Sequence, residues 1–339
     1  MPDISLVIPC RNEYKFIDKC LKQCLNQKYL VEGIEIIVAD GQSSDGTLEI
    51  LEKYAKQYPQ IKVIDNPEKI TPTALNRAIK VATGNIIIRI DVHTEYADNY
   101  VYQCIIALNS SKADNVGGPW LAAGNTYFQK AIAMAFQSPF SSGGALSHND
   151  SFEGYVDSVY LGCWKKLTLQ EIGLFDEELV RNQDDELNYR IIQKGGKIWQ
   201  TPHIKSTYYP RSSIIALFKQ YRQYGYWKIK VIQKHKIPAS ISQIVPGLFI
   251  AILFLFGFMG FFSGFAKTTF AYLLYSYSCV LIIASILTVI KEMKLKYLPV
   301  LPMIYAAFHF GYGFGFLQGI IDMMLLSKSG RKSLAELTR

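Results

Sequence analysis

Two stretches near the N-terminus each combine a short β-branched run, a polar turn and an apolar pattern with helical spacing. The first is VIPCRNEYKFIDKCL at residues 7–21, and the second begins with VADGQSSDGT at residues 38–47. This succession is typical of a strand whose carboxyl end leads into a helix, and two such units in a row favour a parallel sheet in an α/β fold. Ligands of open α/β sheets lie beyond the carboxyl ends of the strands. We therefore expect the polar residues after these strands to face one binding crevice.

Carboxylates follow several of the predicted elements. Asp40 and Asp91 each end a strand directly, Asp45 precedes a helix, and Asp184 and Asp185 open a later helix. Clustered anions at strand ends indicate a hard divalent cation, although Asp45 has a helix N-cap as its alternative role. The sequence contains neither of the two usual glycine-rich motifs that bind phosphate, GxGxxG and GxxxxGK(S/T). The pattern therefore predicts that a metal holds a diphosphate and that one carboxylate serves as a base for group transfer.

The chain of 339 residues changes character along its length. Residues 1–240 read as an α/β protein, whereas residues 243–326 are almost continuously apolar. The net charge of +8 is uneven, because no Asp or Glu occurs between Leu187 and Lys291. A basic stretch before an apolar one predicts a cytoplasmic membrane flank and argues against a nucleic-acid partner. The N-terminus has no signal-peptide pattern, so we expect the first domain in the cytosol.

The basic stretch includes a predicted amphipathic helix within residues 211–240. Aromatic side chains alternate with basic ones there, and an interfacial placement would use four of the rings as anchors. Those rings are Phe218, Tyr221, Tyr224 and Trp227. The alternative is a solvated basic helix packed on the domain.

Three apolar spans follow, at residues 244–262, 270–290 and 298–326. Each is long enough to cross a bilayer. The third is interrupted by Pro302 and by several glycines, so it is either one tilted helix or a broken hairpin. Residues 328–339 form a basic tail. The spans predict a multi-pass protein of the cell (inner) membrane.

The regular alternation of strands and helices stops between residues 114 and 160. Gly, Ser, Asn and Pro are frequent in this stretch. It predicts loops with one helix near Thr126 to Ala135, and the loops serve either as an active-site lid or acceptor platform or as ordinary connections.

Four motifs together resemble inverting family 2 glycosyltransferases, over about residues 3–230. They are VIPCRNE, VADGQSSDGT, RIDVH and NQDDELNYR. The resemblance is to membrane-bound bacterial enzymes of exopolysaccharide assembly of the succinoglycan type. It implies a cytosolic catalytic domain over residues 1–210 with the GT-A nucleotide-diphospho-sugar transferase fold, a mostly parallel, Rossmann-like sheet.

The resemblance also implies a donor site for a nucleotide sugar, most simply a UDP-sugar. The residues that it places around the nucleoside are Pro9, Asn12, Glu13, Asp40 and Asp45. Asp91 and His93 occupy the position of the family's metal-binding DxD motif, and Asp91 belongs to the donor site as well. An imidazole suits Mn²⁺ better than Mg²⁺, so the divalent metal stays open between the two, and His93 has a hydrogen bond to the diphosphate as its alternative.

The resemblance implies that Asp184 is the general base, and Asp185 is the nearest competitor for this role. For both residues the alternative is a structural one, in which they are solvated acidic residues at the N-terminus of a helix. Three residues are secondary candidates. Trp164 would stack on an acceptor sugar or pack in the core, and His203 would lie near the diphosphate or be satisfied within the fold. Arg222 would bind an anionic head group.

The predicted function is metal-dependent transfer of a sugar, with inversion, to an acceptor held at the membrane. A polyprenyl-diphosphate-linked saccharide is the expected acceptor, because a soluble acceptor would not require apolar spans. Two alternatives remain open at this point. One is a polyprenyl-phosphate sugar synthase, and the other is a membrane scaffold that binds nucleotide without turnover.

Overall fold

The computed structural model describes residues 3–28, 33–143, 145–236, 238, 240–326 and 334. The chain divides into two compact units. Unit 1 consists of Met1–Leu121 and Leu146–Tyr208, and unit 2 consists of Ala122–Ala145 and Tyr209–Arg339. The predicted basic tail lies outside the described residues, apart from Leu334.

The strands belong to unit 1, except that β7 ends on Ala122, the first residue of unit 2. They are β1 (Ile4–Cys10), β2 (Ile34–Asp40), β3 (Ile61–Asp65), β4 (Ile86–Arg89), β5 (Thr94–Tyr96), β6 (Asn115–Gly118), β7 (Leu121–Ala122), β8 (Gly154–Val156), β9 (Tyr160–Lys165), β10 (Ile198–Gln200) and β11 (Ser206–Tyr208). The main sheet has the order β3-β2-β1-β4-β9-β6-β10-β8, and a smaller sheet has the order β5-β11-β7. Strands β1 to β4 run parallel, and β9 is antiparallel to both of its neighbours.

The helices occur in both units. They are α1 (Ile17–Leu25), α2 (Thr47–Gln57), α3 (Thr71–Val81), α4 (Tyr100–Ser111), α5 (Tyr127–Phe136), α6 (Pro139–Ser142), α7 (Lys166–Ile172), α8 (Gln183–Gln193), α9 (Ile214–His235), α10 (Val245–Met259), α11 (Gly264–Glu292) and α12 (Leu301–Gly319). Single 3₁₀ turns cover Leu146–His148, Ile241–Gln243 and Leu295–Tyr297, and a π-helical turn covers Ile320–Leu325.

Unit 1 buries both faces of its main sheet. Apolar side chains of α1, α2 and α4 cover one face, and those of α3, α7 and α8 cover the other. Strand β1 shows why: Leu6 and Ile8 point into the first layer, whereas Val7 points into the second. A strand buried on both sides reads as a continuous apolar run, which is the pattern in the N-terminal sequence. The predicted α/β fold with a mostly parallel sheet is confirmed.

Residues 114–160 contain more regular structure than the sequence predicts. Strand β6 lies inside the main sheet, and its neighbour there is β9, which begins at Tyr160. The helix that was expected near Thr126 is present as α5, and Thr126 caps it in a reciprocal capping box with Gln129. The prediction of loops failed at β6 because its four residues include two glycines, which local propensity assigns to turns.

Glycines bring α9 and α12 of unit 2 into close backbone contact. A Cβ atom on Gly315 would lie 1.9 Å from the carbonyl oxygen of Arg222, and one on Gly225 would lie 2.0 Å from that of Tyr312. Small residues at four-residue spacing allow helices to approach this closely. Helix α9 is therefore packed along α12, and its predicted interfacial anchor Trp227 is buried, with Nε1 donating to the carbonyl of Leu334.

The apolar part of unit 2 contains one helix that is long and apolar enough to cross a membrane, among the described residues. This helix is α11, with 29 residues, and only 28% of its most apolar window is buried within the protein. Helix α10 is apolar but has only 15 residues. The third predicted span is one helix, α12, that continues into the π-helical turn, and the broken-hairpin alternative is wrong.

Residues 122–145 pack with the C-terminal helices although they lie between two strands of unit 1 in the sequence. The hydroxyl of Tyr127 donates to the carbonyl of Lys296 at 2.8 Å, and Nε2 of His309 lies 2.8 Å from the carbonyl oxygen of Phe140. The sequence-based boundary, which treats residues 1–210 as one continuous domain, therefore does not hold in this stretch.

Candidate active site

The turns after β1 and β2 are joined by hydrogen bonds. Asn12 has a left-handed backbone with φ of 54°, which asparagine tolerates, and its side-chain oxygen accepts from the Ser44 amide at 2.9 Å. Its own amide donates to Ser43 Oγ at 2.8 Å. Ser43 in turn donates from its amide and its hydroxyl to the buried carboxylate of Asp40. Pro9 is half-buried at the end of β1. These predicted nucleoside residues are thus brought together at the carboxyl edge of the sheet.

A second set of bonds continues from the same turn. The amide of Glu13, a buried residue, donates to Thr47 Oγ1 at 2.8 Å, and the amide of Tyr14 donates to Asp45 Oδ2 at 3.1 Å. Asp45 also accepts from the amide and hydroxyl of Thr47, the first residue of α2. Burial opposes it, but these hydrogen bonds lower the pKa of Asp45. Asp45 thus binds the first residue of α2 from the position before the N-cap, which is Gly46, so the N-cap role predicted as its alternative is not the one that it has.

Asp91 is held by an arginine of the adjoining strand. Arg89, the last residue of β4, donates from Nε to Asp91 Oδ1 at 2.9 Å and from Nη2 to Oδ2 at 3.1 Å. The Arg89 side chain is only 7% exposed. Burial would raise the pKa of Asp91, but the charges of Arg89 and His93 lower it. Asp91 is therefore an ionised carboxylate in a fixed orientation.

The same guanidinium lies beside Asp184. Nη1 of Arg89 is 4.0 Å from Asp184 Oδ2, and the Asp184 side chain is 43% exposed. Asp184 stands in the first turn of α8, where its Oδ1 accepts from the amide of Asp185 at 3.0 Å. Desolvation and the charge of Asp185 raise the pKa of Asp184, whereas Arg89 acts against them. The structure therefore brings together the predicted donor-side carboxylate and the predicted base, residues that are far apart in sequence.

Aromatic rings collect beside these carboxylates, and we call them the aromatic cluster. The cluster consists of His93, Trp120, His148, Tyr160 and Tyr208. Trp120 stacks on Tyr160 with ring centroids 5.2 Å apart and planes 7° apart. The Tyr160 hydroxyl lies 2.7 Å from Thr94 Oγ1, and desolvation together with the charge of Asp91 raises the pKa of Tyr160. Tyr208 is buried, whereas Trp120 and Tyr160 are only half-buried. Half-buried rings next to carboxylates suit a sugar, which presents both C–H faces and hydroxyls.

The fit of a divalent metal rests on Asp91 and His93. No set of three His, Cys, Asp or Glu side chains within the described residues is placed to hold a metal ion. Each oxygen of Asp91 accepts one hydrogen bond from Arg89 and keeps a second lone pair. Two protein ligands fit a metal that takes its remaining ligands from diphosphate and water, which is how such cations bind in nucleotide sites.

Trp164 does not lie in this site. It is 1% exposed and packs edge to face against Phe175, with ring centroids 6.0 Å apart. The acceptor role predicted for Trp164 is wrong, because β9 turns this side chain into the core, where its alternative prediction placed it.

The remaining candidates have separate surroundings. His203 is exposed in the turn between β10 and β11, and among the described residues its side chain makes no hydrogen bond. Arg222 belongs to unit 2, where its Nε donates to Gln318 Oε1 at 3.1 Å. The head-group role of Arg222 and the diphosphate role of His203 stay predictions.

Sequence reasoning missed Arg89 and the aromatic cluster. Arg89 stands in the run NIIIRID, where a charged residue inside a buried strand is unusual enough to have signalled a fixed ion pair. Trp120 follows the GGP tripeptide, but no local pattern indicates that it meets Tyr160.

Three comparisons with known proteins bear on this site. The family model "Glycosyl transferase family 2" matches residues 5–162. The succinoglycan biosynthesis protein ExoA of Rhizobium meliloti is 32% identical over 243 residues, which cover 71% of this chain and 73% of that protein. A dolichyl N-acetyl-α-D-glucosaminyl phosphate 3-β-D-2,3-diacetamido-2,3-dideoxy-β-D-glucuronosyltransferase of Methanococcus voltae is 30% identical over 328 residues, which cover 94% of this chain and 97% of the relative.

Among solved structures, the mannosyltransferase PcManGT of Pyrobaculum calidifontis, in complex with GDP-Man and Mn²⁺, aligns with a TM-score of 0.58 at 18% identity. The alignment covers 93% of this chain and 87% of that structure. At this identity the likeness concerns the fold alone.

Proposed function

Since the chain belongs to glycosyl transferase family 2, we propose that it moves a sugar, with inversion, from a nucleotide diphosphate to a lipid-linked saccharide at a membrane. The observation that carries this proposal is the group Asp91–Arg89–Asp184, in which one guanidinium adjoins two carboxylates from different elements. One carboxylate is held on both oxygens, and the other is partly exposed. Asp91 thus suits donor binding, and Asp184 suits proton transfer.

Asp184 is the proposed base. Its carboxylate takes the proton of the acceptor hydroxyl while that oxygen forms a bond to the anomeric carbon of the donor. The bond from this carbon to the diphosphate oxygen breaks in the same step, so the configuration inverts and the nucleoside diphosphate leaves. A carboxylate with about two-fifths of its side chain exposed is accessible to an acceptor hydroxyl.

The donor nucleoside is proposed to lie at the joined turns after β1 and β2. Pro9, Asn12, Glu13 and Asp40 line this edge, and the hydrogen bonds between the turns fix their positions before a ligand binds. Asp91 and His93 would hold a divalent metal there. When bound, such a metal neutralises charge on the departing diphosphate. PcManGT, with which this chain shares the fold, was solved in complex with GDP-Man and Mn²⁺, and the same two classes of ligand are proposed here.

A lipid-linked saccharide is the proposed acceptor for two reasons. The name of the Methanococcus relative describes transfer to a sugar that is already attached to dolichyl phosphate, and the two chains align over nearly their whole lengths. The apolar helices α10 and α11 also expose large side chains, among them Phe254, Phe258 and Phe265. A polyprenyl-phosphate sugar synthase would instead transfer to the phosphate itself, which needs a base less.

We place the acceptor sugar against the aromatic cluster. Trp120 and Tyr160 are half-buried, and the Tyr160 hydroxyl lies in the neighbourhood of Asp91. An acceptor ring that packs there would present a hydroxyl to the adjoining carboxylates. This assigns to Trp120 the stacking role that Trp164 does not have.

The proposed location is the inner membrane, with several spans and unit 1 in the cytosol. The net charge of +8 and the absence of acidic residues between Leu187 and Lys291 support this orientation. In this proposal unit 1 binds the nucleotide sugar from the cytosol.

The test is transfer by the full chain, purified in detergent, from a panel of UDP-, GDP- and dTDP-sugars. Each donor is offered with a polyprenyl-diphosphate-linked sugar, with polyprenyl phosphate or with no lipid, in Mn²⁺, Mg²⁺ or EDTA. We expect transfer to the saccharide from one donor class, with loss in EDTA. Asp184→Asn should lower kcat by about 10³-fold and leave donor affinity within about threefold, as expected for loss of a general base.

Transfer to polyprenyl phosphate in preference to the saccharide would establish the synthase alternative. Transfer that Asp184→Asn leaves intact would contradict the role of this residue as the base. Asp185→Asn tests the nearest competitor for the base, in the same helix turn. Loss of transfer in this variant, with transfer retained in Asp184→Asn, would assign the role to Asp185.

A further inference from the structure

We propose that Arg89 is a positioning residue that sets the separation and orientation of Asp91 and Asp184, and so aligns the donor with the base. This inference rests on the proposed function. It adds a residue that does not touch the reacting atoms and to which the resemblance assigns no role, although Arg89 is the first residue of the motif RIDVH.

The bonds of Arg89 are unequal in a way that points to this role. Nε and Nη2 are both used by Asp91, at 2.9 and 3.1 Å. Nη1 is buried and has no acceptor at hydrogen-bond distance among the described residues, and the nearest carboxylate oxygen is Asp184 Oδ2 at 4.0 Å. A buried N–H without a partner costs free energy, so a state in which Nη1 gains an acceptor is favoured.

The missing bond requires only a small movement of Asp184. A charge-assisted N–H···O bond has a length of about 2.8 Å, so the two atoms must approach by about 1 Å. Catalytic hydrogen bonds are often long without substrate and shorten in the complex. Asp184 is partly exposed, whereas Arg89 is buried and doubly bonded, so the carboxylate is the partner that moves.

Formation of the hydrogen bond from Arg89 Nη1 to Asp184 Oδ2 would fix the plane of the Asp184 carboxylate. Its Oδ1 already accepts from the amide of Asp185, and Oδ2 would then accept from Arg89. A carboxylate held at both oxygens cannot rotate, and each oxygen retains a lone pair for an acceptor hydroxyl. Arg89 therefore acts on the base through orientation, while its other two nitrogens keep Asp91 in register with it.

Lysine cannot replace this arrangement. Its ammonium is a point charge on a flexible stem, whereas the planar guanidinium binds two carboxylates at fixed angles. The variants Arg89→Lys and Arg89→Gln thus separate charge from geometry. Arg77→Gln is the matched control, because Arg77 also donates two bonds to one carboxylate, that of Glu68, but lies exposed on α3.

The experiment measures kcat, acceptor KM and donor Kd for these variants in the full-length protein in detergent, with the melting temperature as a check on folding. We expect Arg89→Gln to lower kcat about 100-fold, because a 1 Å misplacement of a catalytic group has an effect of that order. Arg89→Lys should lower kcat about tenfold, since lysine keeps the positive charge but lacks the planar set of N–H donors. Donor Kd and acceptor KM should change less than about threefold, as for an interaction made in the transition state.

Wild-type kcat in either Arg89 variant overturns the inference. An equal fall in donor affinity and kcat also overturns it, because Arg89 would then serve donor binding alone. Should Arg89→Gln fail to fold, Arg89→Lys decides between these results. Wild-type protein that transfers no sugar overturns the proposed function and this inference together, whereas active wild type with unaffected variants overturns only the inference.

Discussion

Glu35 should contribute pH-dependent stability to unit 1. Its carboxylate is 3% exposed and accepts hydrogen bonds from Ser5 Oγ at 2.6 Å, from the Gly84 amide at 3.1 Å and from Lys62 Nζ at 3.0 Å. Thr83 adds its amide and its hydroxyl. Burial alone would raise the pKa of Glu35, but these donors outweigh it and lower the pKa from 4.5 to about 2.

The size of the effect follows from this shift. One pKa unit corresponds to about 1.4 kcal/mol, so the charged form of Glu35 stabilises the folded state by about 3 kcal/mol. Because the folded pKa is the lower one, this contribution is complete above about pH 4.5 and is lost as the pH falls towards 2. In Glu35→Gln the amide nitrogen would face donors, so the variant should lose about 3 kcal/mol at pH 7.

The assay is thermal unfolding of the full chain in detergent at pH 7, 5, 4 and 3. A loss of about 3 kcal/mol corresponds to a melting temperature lower by roughly 6–12 °C for a unit of this size. The difference between wild type and variant should shrink as the pH falls below 4.5. Glu52→Gln, which changes an exposed carboxylate on α2, is the control and should shift the curve by less than about 1 °C. A difference that stays constant from pH 7 to pH 3 would refute the reasoning.

Two further substitutions test other parts of the chain. Trp120→Ala should raise acceptor KM about threefold to tenfold and leave donor Kd unchanged, because aromatic contacts contribute about 0.5–1.5 kcal/mol beyond buried area. The control is Trp199→Ala, which removes from β10 a ring that contacts Tyr155 of β8. An unchanged acceptor KM in Trp120→Ala would contradict the placement of the acceptor. Gly315→Ala should destabilise unit 2 by about 1–3 kcal/mol in unfolding experiments, since its Cβ would meet the Arg222 carbonyl. Gly264→Ala has open space and should be neutral, and equal stability of the two glycine variants would contradict the close helix contact.

Much of unit 1 could be predicted from the sequence because its signals are local. Strand β1 and helix α1 follow from an apolar run and a 3.6-residue stripe, and both were expected at nearly the observed positions. The same holds for the joined turns, since Asn12 and Asp40 mark strand ends in the motifs themselves. Local pattern is sufficient where each residue's neighbours in space are also its neighbours in sequence.

The features that were missed depend on contacts between distant residues. Trp120 meets Tyr160 only because β6 and β9 are paired in the sheet, and Trp164 is buried because of the face that β9 turns towards α8. The charge of Arg89 within an apolar strand could have signalled an ion pair, but the sequence does not indicate that Asp184 lies beside it. Neither hydrophobic period nor motif spacing contains this information.

The packing of residues 122–145 with α11 and α12 has a consequence for biosynthesis. Ribosomes add about 5–20 residues per second, so the 169 residues between Tyr127 and Lys296, or between Phe140 and His309, take roughly 8–34 s to synthesise. During that interval the strands that flank the stretch are already available to pair, while Tyr127 and Phe140 still lack their ring partners Tyr297 and Tyr305. Unit 1 is complete in sequence at Tyr208 and can fold first, but residues 122–145 cannot complete their packing until α11 and α12 have been made. Early translation products therefore expose apolar surface that a chaperone or a membrane insertase can bind.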